Sequence, residues 1–299
     1  MDGVLNLNKP RGLTSHDIVD GVRRILDIRR VGHAGSLDPL ATGVLLVCVG
    51  QATRIAEFLV GAEKEYRGVM TLGVVTDTED SSGAVLSDVD ASHVTEDRLR
   101  EALPRFVGEI QQIPPMVSAV HHEGTRLYKL ARMGEVVDRK PRRVEVSRLD
   151  LLRFEPGVHP RAEALVVCSK GVYIRTLFSD VGAALGVGAH MSELTRTRVG
   201  GFTLEGSLDL EDLSGLAEKG KAAEAFISMV DALSVLPRVS ISGEEATLIR
   251  HGRSAPAPAE LWDCRSPLAI ILRDGSLLAV AEIVPGGEGA LLRPTKVFA

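Results

Sequence analysis

At 299 residues, with 44% apolar content, 30 glycines and 14 prolines, the chain holds enough hydrophobic material for one large folded unit and a small appended module. Its longest apolar runs, Val44 to Val49 and Leu277 to Ala281, fall far short of the roughly 20 residues that span a bilayer, and no repeat of solenoid length is visible. A formal net charge of −5 excludes a simple polybasic nucleic-acid binder, yet residues 76–101 carry eight acids against two arginines while residues 121–148 carry eight Lys or Arg against four acids. Local field, not total charge, decides where a phosphate backbone docks.

The N-terminus, Met-Asp-Gly-Val-Leu-Asn, lacks a basic region followed by an apolar core, so no signal peptide is expected and a cytosolic location follows. Ser15 opens a segment in which Ile18, Val19, Val22, Ile25 and Leu26 recur at helical spacing, with Arg23 and Arg24 off the stripe. A loop from Gly32 to Gly43 follows, then a strand over Val44–Val49, a short helix carrying Ile55, Phe58 and Leu59, and a strand over Tyr66–Leu72. Beyond the acidic stretch, Asp97–Phe106 reads as helix, and Ile113-Pro114-Pro115-Met116 must be extended because proline disfavours the helical region in its predecessor.

Leu149–Phe154 and Ala164–Cys168 read as strands, and Ile174, Leu177, Phe178, Val181 and Leu185 mark a second amphipathic helix. From about residue 233 the pattern changes. Ser242 with Glu245 spells a capping box, and Leu268–Leu272, Asp274-Gly275 and Leu277–Ile283 spell a tight hairpin, so a small β-rich module over 233–299 is expected to pack on the body at 1–232. Cys48, Cys168 and Cys264 are far apart, odd in number and without metal spacing, and are read as buried thiols.

Among polar residues, Asp38 stands out: it lies in a loop with Gly32, Gly35 and Gly43, and Pro39 holds it out of the helical region. Such a carboxylate is fixed and reachable, although Asp-Pro alone is an ordinary turn. A neighbouring cation would keep it ionised, and Arg175 is the candidate. In the first turn of its helix that cation meets the unfavourable end of the macrodipole, at about 0.3–1 kcal/mol, which a carboxylate partner offsets.

The whole run from Gly32 through His33, Leu37, Asp38, Pro39 and Ala41 to Gly43 resembles the catalytic motif of the TruB-type pseudouridine synthases. Leu7-Asn8-Lys9-Pro10 with Gly12, Thr14 and Ser15 is similar to that family's first motif, Lys64-Glu65-Tyr66 to its tyrosine motif, and Lys170 to Leu177 to its arginine motif. Ser118-Ala119-Val120 with Gly124, Arg126, Leu127, Tyr128 and Ala131-Arg132 resembles an RNA-gripping insertion, and Leu194 with Arg196, Arg198 and Gly200 a late active-site motif. A lysine often follows Ser-Ala-Val in the family, where this chain has His121-His122.

The resemblance implies an α+β fold: a catalytic domain with a mixed, largely antiparallel sheet flanked by helices, an insertion at about 113–146, and a small β-barrel PUA-like RNA-binding domain. It implies isomerisation of uridine 55 in the TΨC loop of tRNA, without metal or organic cofactor. The bond from C1′ to N1 breaks, the uracil turns, and C5 bonds to C1′. Asp38 would attack the sugar or the ring, or remove a sugar proton, on a nucleotide flipped from its loop. Arg175 would pair with it, and Tyr66 would stack on the uracil and help deprotonate C5. His33 would fill the space the base leaves. Tyr173 and Leu194 would line the pocket, Lys9 would brace the loop, and Arg126, Arg132 and Arg142 would hold RNA.

The expected partner is the tRNA T stem-loop, engaged by a monomer in the cytoplasm without guide RNA, protein partner or membrane. Three other readings are open. One is a guide-RNA-directed pseudouridine synthase, disfavoured here by the motif starting within ten residues of Met1 and by the lack of a basic tail. Another is a non-catalytic RNA-binding or tRNA-folding chaperone. A hydrolase is the weakest, because no second carboxylate or histidine lies at a recognisable spacing from Asp38.

Overall fold

The computed structural model describes residues 1–298 except 119, 123, 263–265 and 288. β1 (Gly3–Lys9) leads into α1 (Ser15–Leu26), whose buried face is Ile18, Val19 and Val22. Thr14 caps this helix reciprocally: its hydroxyl accepts from Asp17 N at 3.1 Å, and the Asp17 carboxylate accepts from Thr14 N at 2.7 Å. β2 (Val31–His33) and β3 (Thr42–Val49) extend into both ends of the glycine-rich segment, leaving only its middle, with Asp38, as loop.

α2 (Ala56–Val60) connects to β4 (Lys64–Leu72), and the acidic stretch holds a separate hairpin of β5 (Val74–Thr76) and β6 (Val85–Asp88). α3 (Glu96–Ala102) and β7 (Gly108–Gln112) follow. After β8 (His121–His122), β9 (Thr125–Arg126) and α4 (Leu127–Arg132), the chain enters β10 (Arg142–Glu155). The expected insertion therefore ends earlier than 146, because Arg142 to Val146 pair with Gln112 to Gly108 in the main sheet. There Val144 and Val146 are buried between exposed Arg143 and Glu145, an alternation that the charge run obscures.

β11 (Arg161–Cys168), α5 (Ile174–Leu185), β12 (Ala189–Val199) and β13 (Phe202–Thr203) complete the body. The large sheet runs β1-β3-β12-β4-β11-β10-β7, with β2 on β3 and β13 on β12. Only the β3–β12 junction is parallel, so the sheet is mixed and largely antiparallel, as expected. Leu177, Phe178, Val181 and Leu185 of α5 pack on Tyr66, Met70, Leu72 and Leu194, while α1 packs on β1 and β3 through Leu5, Leu7, Leu45 and Val47. Two glycines permit this. At Gly68 a Cβ would lie 2.9 Å from the Phe178 ring, and at Gly43, with φ +100°, it would lie 2.2 Å from the Arg196 carbonyl oxygen at the parallel junction.

α6 (Leu210–Glu218) lies against α1, and α7 (Met229–Ala232) precedes the terminal module of β14 (Arg238–Ser240), α8 (Gly243–Arg250), β15 (Ala255–Pro256), β16 (Leu268–Arg273), β17 (Ser276–Gly286) and β18 (Gly289–Val297). Its sheet, ordered β14-β16-β17-β18-β15, is a curled half-barrel of the PUA-like kind. Asp274 (φ 51°) and Gly275 (φ 76°) make the expected hairpin turn. The capping box expected at Ser242 does not form: Gly243 takes φ 57° at the first helical position, and the Ser242 hydroxyl makes no cap bond. Ile270, Leu272, Val280 and Phe298 share a core with Val4, Val44, Leu46, Ile55 and Leu59, so the module packs on the body. Cys48 and Cys168 are buried free thiols, and Cys264 lies outside the described residues.

Candidate active site

Two buried cations hold the loop that carries Asp38. Lys9 is fully buried at the end of β1 and donates from Nζ to the carbonyls of Pro10 and Leu13, each at 2.8 Å, and of Pro39 at 3.4 Å. Arg196, 1% exposed on β12, donates to Val44 O at 2.7 Å, Gly35 O at 3.1 Å and Ser36 O at 3.3 Å. Ser15 brackets Leu37, accepting from its N–H at 2.8 Å and donating to its carbonyl at 3.2 Å. Burial lowers the Lys9 ammonium to about 8, with the Asp38 charge acting in the opposite direction. Lys9 is thus a brace and not a surface lysine.

Arg175, in the first turn of α5, is the cation beside Asp38. Its Nε lies 2.9 Å from Oδ2 of Asp38, and its Nη2 donates to Oδ1 at 3.3 Å. The same Nη2 donates to Val117 O at 2.9 Å, Nη1 donates to Thr78 O at 2.9 Å, and Nη1 stands 3.7 Å from Oδ2 of buried Asp80. Asp80 is itself fixed, accepting through Oδ1 from Thr78 Oγ1 at 2.8 Å and Ser82 N at 2.9 Å. The guanidinium is almost wholly enclosed whereas the Asp38 carboxylate is 37% exposed, so the cation is framework and the anion faces the cavity. Glu79, next in line, has φ 62°, and its carboxylate accepts from Thr176 Oγ1 at 2.6 Å; burial raises its pKa.

These groups meet in a cavity of about 280 Å³, lined by Asp38, Tyr66, Tyr173, Arg175 and Leu194 together with Lys64, Ser118 and Arg196. Tyr66 is buried, which pushes its phenol pKa upward against the pull of the Arg196 charge. Gln112 clamps the Tyr173 backbone, its Oε1 accepting from Tyr173 N at 3.0 Å and its Nε2 donating to Tyr173 O at 3.2 Å. Lys64 donates from Nζ to Val60 O at 2.7 Å and Ala62 O at 2.6 Å, tying α2 to the pocket, and burial lowers its ammonium to about 8. The result is a recess of mixed apolar and charged walls with a single carboxylate, Asp38, suited to covalent or proton-transfer chemistry on a neutral heterocycle.

Five of the expected site residues, Asp38, Tyr66, Tyr173, Arg175 and Leu194, therefore share one cavity. His33 sits outside its lining, at the end of β2, half-buried, with a buried Nδ1 that has no partner among the described residues. Burial and the nearby Arg196 charge lower the pKa of its ring. Arg142 is exposed at the start of β10, also outside the lining. The side chains of Arg126 and Arg132 lie outside the described residues. Asp80 and Gln112 were not singled out from sequence, and Arg196, Lys64 and Ser118 entered only as members of matched motifs, with no role of their own. Period-two spacing from Leu194 puts Arg196 on the cavity face, a usable signal. Asp80 is one acid among eight in its stretch and carried none.

Two family models match the chain: residues 23–174 match the TruB family pseudouridylate synthase N-terminal domain, and residues 175–235 match the tRNA pseudouridylate synthase B C-terminal domain. A tRNA pseudouridine synthase B from Symbiobacterium thermophilum is 52% identical, over 86% of this chain and 84% of its own length. Enzymes of the same name from Pseudomonas aeruginosa and Geobacillus thermodenitrificans are 45% and 41% identical, covering 96% and 100% of this chain and 94% and 100% of theirs. Among solved structures, a chain of a Cbf5-Nop10-Gar1 complex aligns at TM-score 0.75 and 31% identity, over 99% of this chain and 85% of that one. With the Asp38–Arg175 pair seated in its cavity and relatives of this identity along nearly its whole length, the chain belongs to the TruB family of pseudouridylate synthases.

Proposed function

We propose that this enzyme isomerises uridine 55 in the TΨC loop of tRNA. The observation that carries the reading is Asp38 held by Arg175 in a recess whose walls include Tyr66, Tyr173 and Leu194. The nucleotide flips from its loop at a cost of a few kcal/mol and enters the cavity. Asp38 then acts on the sugar or the ring, or takes a sugar proton, while Arg175 holds it in place. The C1′–N1 bond breaks, the uracil turns against Tyr66 and Leu194, C5 bonds to C1′, and the C5 proton leaves as N1 gains one. Nothing is oxidised or lost. Because burial keeps Tyr66 a neutral phenol, its assistance to C5 deprotonation would lean on the Arg196 cation beside it.

His33 would take the place of the everted base, and Arg126, Arg132 and Arg142 would grip the stem from the insertion. The terminal module, 233–299, would meet the acceptor-stem side of a tRNA whose T loop lies in the body, 1–232. A cytosolic monomer acting without guide RNA fits relatives named tRNA pseudouridine synthase B at 41–52% identity, whereas the Cbf5 likeness, at 31%, favours a guided enzyme less. The test is pseudouridine formation on an unmodified tRNA transcript by the purified protein alone. Turnover at position 55 by the wild type and none by Asp38→Asn is expected. Modification only when guide RNA is added, or undiminished activity in the variant, refutes the reading.

A further inference from the structure

One wall of the cavity carries a hydroxyl that nothing among the described residues accounts for. Ser118 is 6% exposed, lines the cavity with Asp38 and Arg175, and its Oγ is sealed from solvent without a hydrogen-bond partner among the described residues. Buried hydroxyls are nearly always paired, because an unpaired one gives up its bonds to water for nothing. Its neighbour fixes where it stands. Val117 O accepts at 2.9 Å from Nη2 of Arg175, the nitrogen that also donates to Asp38 at 3.3 Å, so a single nitrogen ties Val117, the residue before Ser118, to the Asp38 carboxylate. At the near end of the same segment, Arg139 Nη1 donates to Pro114 O at 3.0 Å.

We propose that Ser118 Oγ binds the ribose 2′-hydroxyl of the nucleotide seated in the cavity. The inference rests on the reading above, in which Asp38 acts at or beside C1′. C2′ is one bond away, and its hydroxyl is the hydrogen-bond donor of the sugar nearest the reacting carbon. Both hydroxyls donate and accept, so either can complete the other. Because Arg175 ties the segment just before Ser118 to Asp38, the group that acts at the sugar, the hydroxyl of Ser118 is matched to the ribose.

The experiment is a cycle on two T-stem hairpins that differ only in carrying uridine or 2′-deoxyuridine at the target position, each measured with wild type and Ser118→Ala. With uridine, Ser118→Ala lowers kcat/KM about 3- to 10-fold, the loss of one hydrogen bond. With 2′-deoxyuridine the wild type shows that loss already and the variant adds none. Affinities of the two hairpins in an Asp38→Asn background follow the same pattern, a readout independent of turnover. The urea midpoint of Ser118→Ala does not fall below that of the wild type, since no bond within the protein is removed. Equal losses on both hairpins, no loss on either, or a lowered midpoint overturns the assignment. A wild type that leaves the uridine hairpin unmodified fails the proposed function instead.

Discussion

Arg175 stands between two carboxylates, with Nε 2.9 Å from Asp38 and Nη1 3.7 Å from Asp80 on its other side. Asp80 is buried and locked by Thr78 and Ser82, so its charge stands fixed behind a guanidinium that hydrogen-bonds to Thr78 O, Val117 O and Asp38. Asp80→Asn keeps the shape and removes the charge. We expect kcat to fall roughly 10- to 100-fold, as misplacement of a catalytic group does, with KM for tRNA within about twofold. Single-turnover pseudouridine formation measures it, and an unchanged kcat would show that Arg175 needs no second anion.

Arg196 spreads three donor nitrogens over the carbonyls of Val44, Ser36 and Gly35, so it holds the loop that carries Asp38. Lysine retains the charge but cannot reproduce the fork. Arg196→Lys should leave buried carbonyls unpaired, at about 1–3 kcal/mol each, and lower both the urea midpoint and kcat. A variant with wild-type stability and reduced kcat would mean that the loop is held by other contacts and that Arg196 acts on the substrate.

The strands at Val44–Val49, Tyr66–Leu72, Leu149–Phe154 and Ala164–Cys168, both amphipathic helices and the terminal hairpin were legible because each rests on a local period or a turn pair such as Asp274-Gly275, whereas β1, β7 and β12 went unread and the mixed sheet followed only from the family resemblance. Asp38, Tyr66, Tyr173, Arg175 and Leu194 were legible because each sits in a segment with a family pattern. Asp80 was not: its role arises from Arg175, 95 positions away, and only folding brings the two together. Ser242 misled for a local reason, since the left-handed Gly243 turns the helix start away from its hydroxyl. The strand at Arg142 to Val146 was hidden by its own charge, because the exposed face of this half-buried strand is as basic as a loop.

Lys9 and Lys64 give stability a signed pH dependence. Unfolded lysines titrate near about 10.4, whereas burial brings both down to about 8 in the folded chain. Between those values the unfolded state holds protons that the folded state has released, so these groups make unfolding harder as pH rises from about 8 to about 10. Lys9→Met removes one share of that slope. The difference in unfolding free energy between wild type and variant, from urea titrations at fixed pH, should increase in the wild type's favour across this window. A flat difference would mean that Lys9 titrates alike in both states.

The terminal module is joined to the body by its last strand. Arg54 lies over the Phe298 ring with Cζ 4.9 Å from the centroid and donates to Val297 O at 2.8 Å, while Lys296 Nζ stands 3.0 Å from Glu57 Oε1. Phe298 belongs to the core shared by Ile270 and Val280 of the module and Val44, Leu46 and Ile55 of the body. Unfolding one part exposes apolar surface of the other, so both should unfold together. Trp262, the sole tryptophan, reports on the module, and far-UV circular dichroism reports mainly on the body. The two urea transitions should coincide in the wild type. Phe298→Ala should lower both midpoints by the same amount, for a loss of about 2–4 kcal/mol, near the lower end of buried aromatic truncations with the cation–π contact included. If Trp262 unfolds first and the body midpoint is unmoved, the shared core contributes nothing to coupling and the module is held only by its edge contacts.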